Sequence, residues 1–419
     1  MDTEKTTPKM SLWSVHFVLL ILANCLVGAC MFFHNAVTSK YVIYLGSDES
    51  YAGIMLACFT IVATIMRIVS GGLLDKRGRR KIILIGLVIY AAATASITTG
   101  WLPYLPVARA IQAVGYSMAT TGFSVALVDV LPLPKMGEGI GYSGLATSLA
   151  SAVGPGIAMW IYGISKDYRV VYYASVGLLA VSFILTFICR YEKDQAFFER
   201  KAAYELAVMG DRARKIEQKE EQGSLLSRAF EKKALPSMFV SLFLSLGTGA
   251  VVAFIMTYAD TINVAKASLF FTLQAVTTVL SRLVFSKMTD KYPPLVTIIP
   301  GVVVSGIAYY MLVHAGQAHV LFYIAGALLG LGAGMYTPPL NAEAVRYVPQ
   351  SRRGAASATF FISMDIGVGI GGVLWGSIIK NSGYTPVFVG CVICTAISLL
   401  LSFVFFARKK ELPAAPANP

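Results

Sequence analysis

Charge is what this 419-residue chain has little of. Only 14% of its residues are Asp, Glu, Lys or Arg, against about 25% in an ordinary soluble protein. Acids are the scarcer sign, 22 against 35 basic residues, and there are four His. A chain 56% apolar, with a mean hydropathy of +0.67, exceeds the roughly 45–50% that a soluble fold of this size buries. A secreted or ordinary cytosolic protein is thereby excluded. The six cysteines, Cys25, Cys30, Cys58, Cys189, Cys391 and Cys394, all lie in or at the ends of apolar runs. With no second Cys pair and no grouped His, Cys391 and Cys394 make no zinc set, and no metal or cofactor is expected. No G-x-x-x-x-G-K-[ST] occurs, which removes the phosphate cradle that ATP hydrolysis by a P-loop needs.

What is there instead is length in apolar runs. A helix needs about 20 apolar residues to cross the hydrocarbon of a bilayer. Twelve such spans are expected, near 13–38, 50–73, 82–100, 104–129, 138–163, 170–190, 236–260, 266–288, 294–314, 319–342, 355–380 and 384–407. With both termini cytoplasmic, about 27 of the 35 Lys and Arg fall on the cytoplasmic side and about five outside, the asymmetry that sets membrane orientation. The net charge of +13 is then a topology signal, and no nucleic-acid partner is expected. The first span follows Asp2, Glu4, Lys5 and Lys9 without an A-x-A-like exit, so it reads as a retained helix.

Residues 191–235 break the pattern. Both signs of charge alternate there, as in Arg212, Arg214, Lys215, Glu217, Lys219 and Glu220, which predicts a solvated helical linker between two bundles, 1–190 and 236–419. The flanking halves resemble each other. Arg67, Asp75 and Lys76 match Arg282, Asp290 and Lys291 at a displacement of 215, and Met118, Gly137 and Gly154 match Met335, Gly354 and Gly371 at 217. Two nearly equal displacements imply a six-plus-six repeat, a transporter plan with its site between the repeats.

After the second span the chain reads Gly71-G-L-L-Asp75-Lys76-Arg77-Gly78-Arg79-Arg80. Gly71 permits close helix approach and Gly78 a tight turn. The spacing G-x-x-x-D-K-x-G-R-R is sharper than a basic loop requires, and here the chain resembles the major facilitator superfamily. The resemblance implies an all-α membrane fold of twelve helices in two pseudo-symmetric bundles, with Gly71, Asp75, Arg77, Gly78, Arg79 and Arg80 forming a conformational latch. Arg109-A-I-Gln112 is similar to that family's R-x-x-Q motif, which implies proton coupling or substrate contact; snorkelling of Arg109 to the surface is the rival. Gly154-Pro155-Gly156, preceded by Ala150 where a glycine is usual, is similar to the bend signature of drug:proton antiporters. A packing kink is the rival reading, and the signature leans toward export.

Gly367-V-Gly369-I-Gly371-Gly372 has no strand before it and lies in an apolar span, so it serves helix contact and no dinucleotide. Asn24, His34, Asn35, Gln274 and Asp260 are candidate cavity residues, with Gln112, and each has a structural reading beside it. Arg67 lies eight residues before Asp75, about 12 Å up its helix, and Asp365 eleven after Gly354, about 16 Å deep. The resemblance makes their helices neighbours, so an Arg67–Asp365 ion pair bridging the bundles is expected, as a coupling element or a strut. Its repeat equivalent would be Arg282 with Ser148, which leaves Arg282 free for an anionic substrate group. The expectation is a monomeric proton-coupled exporter of a small drug-like molecule or metabolite in the inner membrane. Nutrient uptake and a non-transporting sensor are the alternatives.

Overall fold

The computed structural model describes residues 11–132, 135–209, 232–289, 293–346 and 353–406, apart from some side chains inside helices. Among the described residues twelve long helices carry the fold: α1 (Val15–Tyr44), α2 (Glu49–Arg77), α3 (Arg79–Ile97), α4 (Leu105–Val130), α5 (Met136–Ser165) and α6 (Tyr168–Ile188) precede a short α7 (Gln195–Met209). The second set is α8 (Leu235–Thr261), α9 (Leu269–Thr289), α10 (Leu295–His314), α11 (His319–Arg346), α12 (Arg353–Ser382) and α13 (Tyr384–Phe406). In lipid no water satisfies a free backbone, so an all-helical solution is what such apolar runs allow. Among the described residues eleven helices are long and apolar enough to cross a membrane. The twelfth long helix, α9, carries Thr272, Gln274, Thr277, Thr278, Ser281 and Arg282, which lower its hydropathy. Ile61, Ile65, Val88, Ile184, Leu400 and Val404 are exposed along the outside of the bundles, where lipid tails replace water as their solvent.

Local signals set the helix ends. The Ser14 hydroxyl accepts from the Phe17 N–H, and the Asp48 carboxylate accepts from the Tyr51 N–H, satisfying donors that a first turn leaves free. Gly78 joins α2 to α3 with φ +85°, a conformation that a Cβ would strain.

The two bundles share one core at one end only. At the end where α1 meets α2, a single cluster of buried side chains joins Tyr41, Leu105 and Tyr168 of the first bundle to Phe254, Tyr258 and Phe388 of the second. At the opposite end, where α1 begins and α13 ends, the cores of the described residues are separate: Phe17, Phe123 and Leu131 in the first, Val240, Phe360 and Phe406 in the second. The first is the far end of the molecule and the second its termini end. Between α2 and α12 the joint is made by glycines: a Cβ on Gly53 would collide with the Gly372 carbonyl, and one on Gly376 would lie 2.7 Å from the Glu49 carbonyl.

The start of the 191–235 segment is helical and mostly exposed, and aromatic side chains dock it on the first bundle. Tyr191 and Phe197 are buried in the core of the first bundle, with Phe198 against it. His16 Nε2 bonds Asp194 at 3.0 Å, and Lys201 Nζ donates to the Asp129 carbonyl at 2.6 Å. The aromatic pair beside the charges supplies an anchor that a charge count passes over. Residues 210–231 lie outside the described part of the chain.

Candidate functional site

Three groups of polar side chains stand out inside the apolar scaffold. The first bridges the bundles at mid-depth. Arg67 on α2 and Asp365 on α12 form an ion pair, Nη1 to Oδ2 at 2.6 Å, with side chains 35% and 26% exposed. The two charges that the depth arithmetic sets level are therefore in contact across the seam.

The second group lies inside the first bundle. Arg109 is 1% exposed, so its charge is buried and does not snorkel. Its Nη1 donates to Gln112 Oε1, and its guanidinium sits 4.5 Å from the centre of the Phe59 ring of α2. Gln112 Nε2 donates to Thr94 Oγ1 at 2.8 Å and faces His34 Nδ1 at 3.3 Å. Tyr90 Oη also lies 3.3 Å from that nitrogen, and His34 stacks on Tyr172. Five helices, α1, α2, α3, α4 and α6, thus converge on one buried cluster. His34 Nε2 and Arg109 Nε have no hydrogen-bond partner in it, and Asn35 Oδ1 is a further buried atom without one.

The third group closes the far end. Lys40 Nζ of α1 reaches both carboxylate oxygens of Asp260 on α8, at 2.8 and 2.7 Å. Lys380 of α12 pairs with Asp48, just before α2, at 2.8 Å. The charges are exchanged between the two pairs, each bundle giving one cation and one anion. The Lys380 ammonium, helped by the Tyr51 N–H, holds the Asp48 carboxyl below the usual carboxylate range. Ser39 adds a hydroxyl donated to the Ala253 carbonyl across the same seam.

Asp260, read from the sequence as a candidate cavity residue, pairs with Lys40 at the far end. Gln112 and His34 are fully buried within one bundle. Asn24 and Gln274 are partly buried, and Arg282 is exposed. Gly154 brings α5 against α1, where a Cβ would lie 2.9 Å from that of Phe32, and α5 runs unbroken through Pro155.

The basic loop after α2 is held from behind. Glu192 Oε1 accepts from the backbone N–H groups of Arg79 and Arg80, at 2.6 and 3.1 Å, capping α3 where the helix dipole favours an anion. Arg79 Nε lies 3.0 Å from the Asp129 carboxylate, while Arg80 donates to the carbonyls of Thr186 and Phe187 at the end of α6. Arg77 is exposed. Asp75 and Gly71 lie in the last two turns of α2; the Asp75 side chain lies outside what the structure describes, as do residues 290–292 and the side chain of Ser148.

Sequence reasoning missed Lys40, Lys380, Glu192 and Phe59. Lys40 and Lys380 carried a signal, being cations at the end of the spans that orientation leaves poor in positive charge. Phe59 carried none, because one aromatic in an apolar run is indistinguishable from its neighbours.

A sequence model of the Major Facilitator Superfamily matches residues 20–265 and 237–418. The chain belongs to the Major Facilitator Superfamily. It is a multi-pass membrane transporter, not an enzyme. It is 23% identical over 395 residues to the staphylopine export protein of Staphylococcus aureus (strain Mu50 / ATCC 700699), covering 91% of this chain and 94% of that one. An uncharacterised MFS-type transporter of Burkholderia mallei (strain SAVP1) is 29% identical over 173 residues, 41% of this chain and 42% of its own. Among solved structures, the fold is shared with the peptide transporter POT in complex with sulfate, at a TM-score of 0.73 and 12% identity, covering 97% of this chain and 99% of that one. The xylose transporter XylE from E. coli in a partially occluded inward open conformation gives 0.71 and 14%, with 96% and 100% covered. At these identities the likeness speaks for the fold alone.

Proposed function

We propose that this chain is a proton-coupled exporter of a small drug-like molecule or metabolite, working by alternating access in the bacterial inner membrane with both termini cytoplasmic. The observation that carries the reading is the Arg67–Asp365 pair. It joins two bodies whose cores are separate at the termini end, so its strength bears on how they rock. Protonation of Asp365 removes the anion and releases Arg67, turning a proton into a mechanical event. A charge crossing about 100 mV of membrane potential brings roughly 2.3 kcal/mol, a scale that can shift a two-state equilibrium more than tenfold.

The basic surplus at the termini end supports a cytoplasmic placement of that end; on this reading the Lys40–Asp260 and Asp48–Lys380 pairs close the molecule to the outside. Transport then requires those pairs to part while Asp75, Arg77, Gly78, Arg79 and Arg80, beside Gly71, latch the inner side. Export as the direction is supported by the relative whose name states staphylopine export, together with Gly154-Pro155-Gly156 in α5. The transporter acts as a monomer, each copy holding both bundles.

The test is accumulation of labelled drug-like and metabolite solutes in cells with and without expression, repeated with a protonophore. Export predicts lower accumulation on expression and its reversal by the protonophore. Higher accumulation on expression supports uptake and overturns the direction proposed.

A further inference from the structure

The buried cluster of the first bundle has a hydrogen-bond pattern that leads beyond coupling. Gln112 Oε1 accepts from Arg109, so the other end of the amide, the Nε2 group, faces His34 Nδ1 as a donor. A nitrogen that accepts carries no proton, and a neutral imidazole keeps its proton on the opposite nitrogen. The hydrogen-bond network thus assigns the proton of His34 to Nε2, which has no acceptor. Arg109 Nε–H has none either. Two N–H donors and a full positive charge are buried together, while the ion pairs among the described residues engage other side chains. A buried donor left unpaired costs about 1–3 kcal/mol, and an unpaired ion costs more. Every unmet demand on these two side chains is for an acceptor, and the charge asks for a negative one.

We infer that the substrate is a small molecule bearing a carboxylate, and that the Arg109 guanidinium and the His34 imidazole N–H bind that carboxylate inside the first bundle. The inference rests on the transporter reading and adds the substrate class. The walls suit an organic anion: Tyr172 stacks on His34, and Tyr90, Tyr116 and Phe59 form a run of aromatic contacts beside it. Access follows from the seam. Phe59 lies over Arg109 and is 2% exposed, and its neighbour Thr60 presses against Gly369 of α12. The motion that separates α2 from α12 shifts the segment holding this cover, so the site is closed in the described state and opens as the bundles rock.

Two measurements test this. Purified protein is heated in the presence of benzoate or of benzamide, its neutral isostere, at equal ionic strength. Benzoate is expected to raise the melting temperature and benzamide to leave it; Arg109→Gln should abolish the difference and Arg109→Lys retain part of it. In parallel, medium from cells with and without expression is passed over an anion exchanger at neutral pH. Solutes enriched by expression should be retained on it, and the enrichment should fall roughly tenfold or more, a loss of about 1.4 kcal/mol or more, with Arg109→Gln. Equal protection by benzoate and benzamide, or enriched solutes that pass through the exchanger, overturns the carboxylate site. If nothing is enriched but benzoate protects through Arg109, export fails and the carboxylate site stands.

Discussion

In the first bundle, a Cβ on Gly86 would collide with Gly115 and Met118 where α3 crosses α4. In the second bundle, at displacements of 215 to 217 residues, one on Gly301 would collide with Gly332 and Met335 where α10 crosses α11. The repeat is therefore visible as the same backbone crossing made twice. The fillings differ. The positions 217 residues beyond Arg109 and Gln112 are Gly326 and Leu329, and Gly326 lies against the Phe270 ring. One scaffold thus holds a buried cation and its amide in the first copy, and an aromatic, apolar interior with Phe254, Phe270 and Phe322 in the second. Helix crossings tolerate little change, because glycine is the residue that lets backbones meet. Interior side chains are freer to diverge, and there the two copies part company.

That contrast can be broken most severely at the inherited loop. Asp75→Asn is expected to abolish or strongly slow transport with normal insertion and folding, while Asp290→Asn, in the decayed second copy, leaves it near normal. Transport assays on the two variants at matched expression check this, and equal loss in both would mean that the copies still share the latch. Arg77 and Arg79 substitutions should each be milder, since neighbouring cations substitute for them.

The scaffold itself is tested by Gly115→Val and Gly332→Val. Each inserts bulk into an equivalent crossing and should destabilise by about 1–3 kcal/mol, read by thermal denaturation of purified protein. A tolerated change in one bundle only would show that the crossings are not equivalent. Smaller still is Glu192→Gln, which weakens the cap on α3 and should cost about 1 kcal/mol or less in the same measurement.

The smallest effect concerns pH at the far end. Asp48 has its carboxyl held down by Lys380, so its pairing is present above the ordinary carboxylate value, about 3.9, and is lost only as pH falls through the depressed one. Spin-label distances across the far end should therefore not change as pH falls from 8 to 5. Opening in that window would assign the pH response to this closure instead of to the mid-depth pair.

Much of this was legible in the sequence for identifiable reasons. Spans follow from apolar length, and the two copies from repeated Arg, Asp and Gly at fixed displacement. Arg67 meeting Asp365 follows from depth once the helices are neighbours, because a buried charge needs a partner. Which helix faces which is a long-range fact, and that is where reading along the chain stopped. That Asp260 meets Lys40, 220 residues away, is invisible from its own helix. Phe59 over Arg109 and Glu192 behind Gly78 are the same kind of contact. The segment 191–235 was read by its charge as a whole, and the docking of its start by Tyr191 and Phe197 lay outside that reading.

The central claim is that the Arg67–Asp365 pair turns proton movement into bundle movement. Its most direct test is Asp365→Asn, reconstituted in vesicles with a solute that the accumulation assay identifies, comparing uphill transport driven by a pH gradient with exchange at equal solute on both sides. The account predicts that uphill transport is lost and exchange retained. Uphill transport at the wild-type rate, or loss of both in a protein that melts like the wild type, would contradict it.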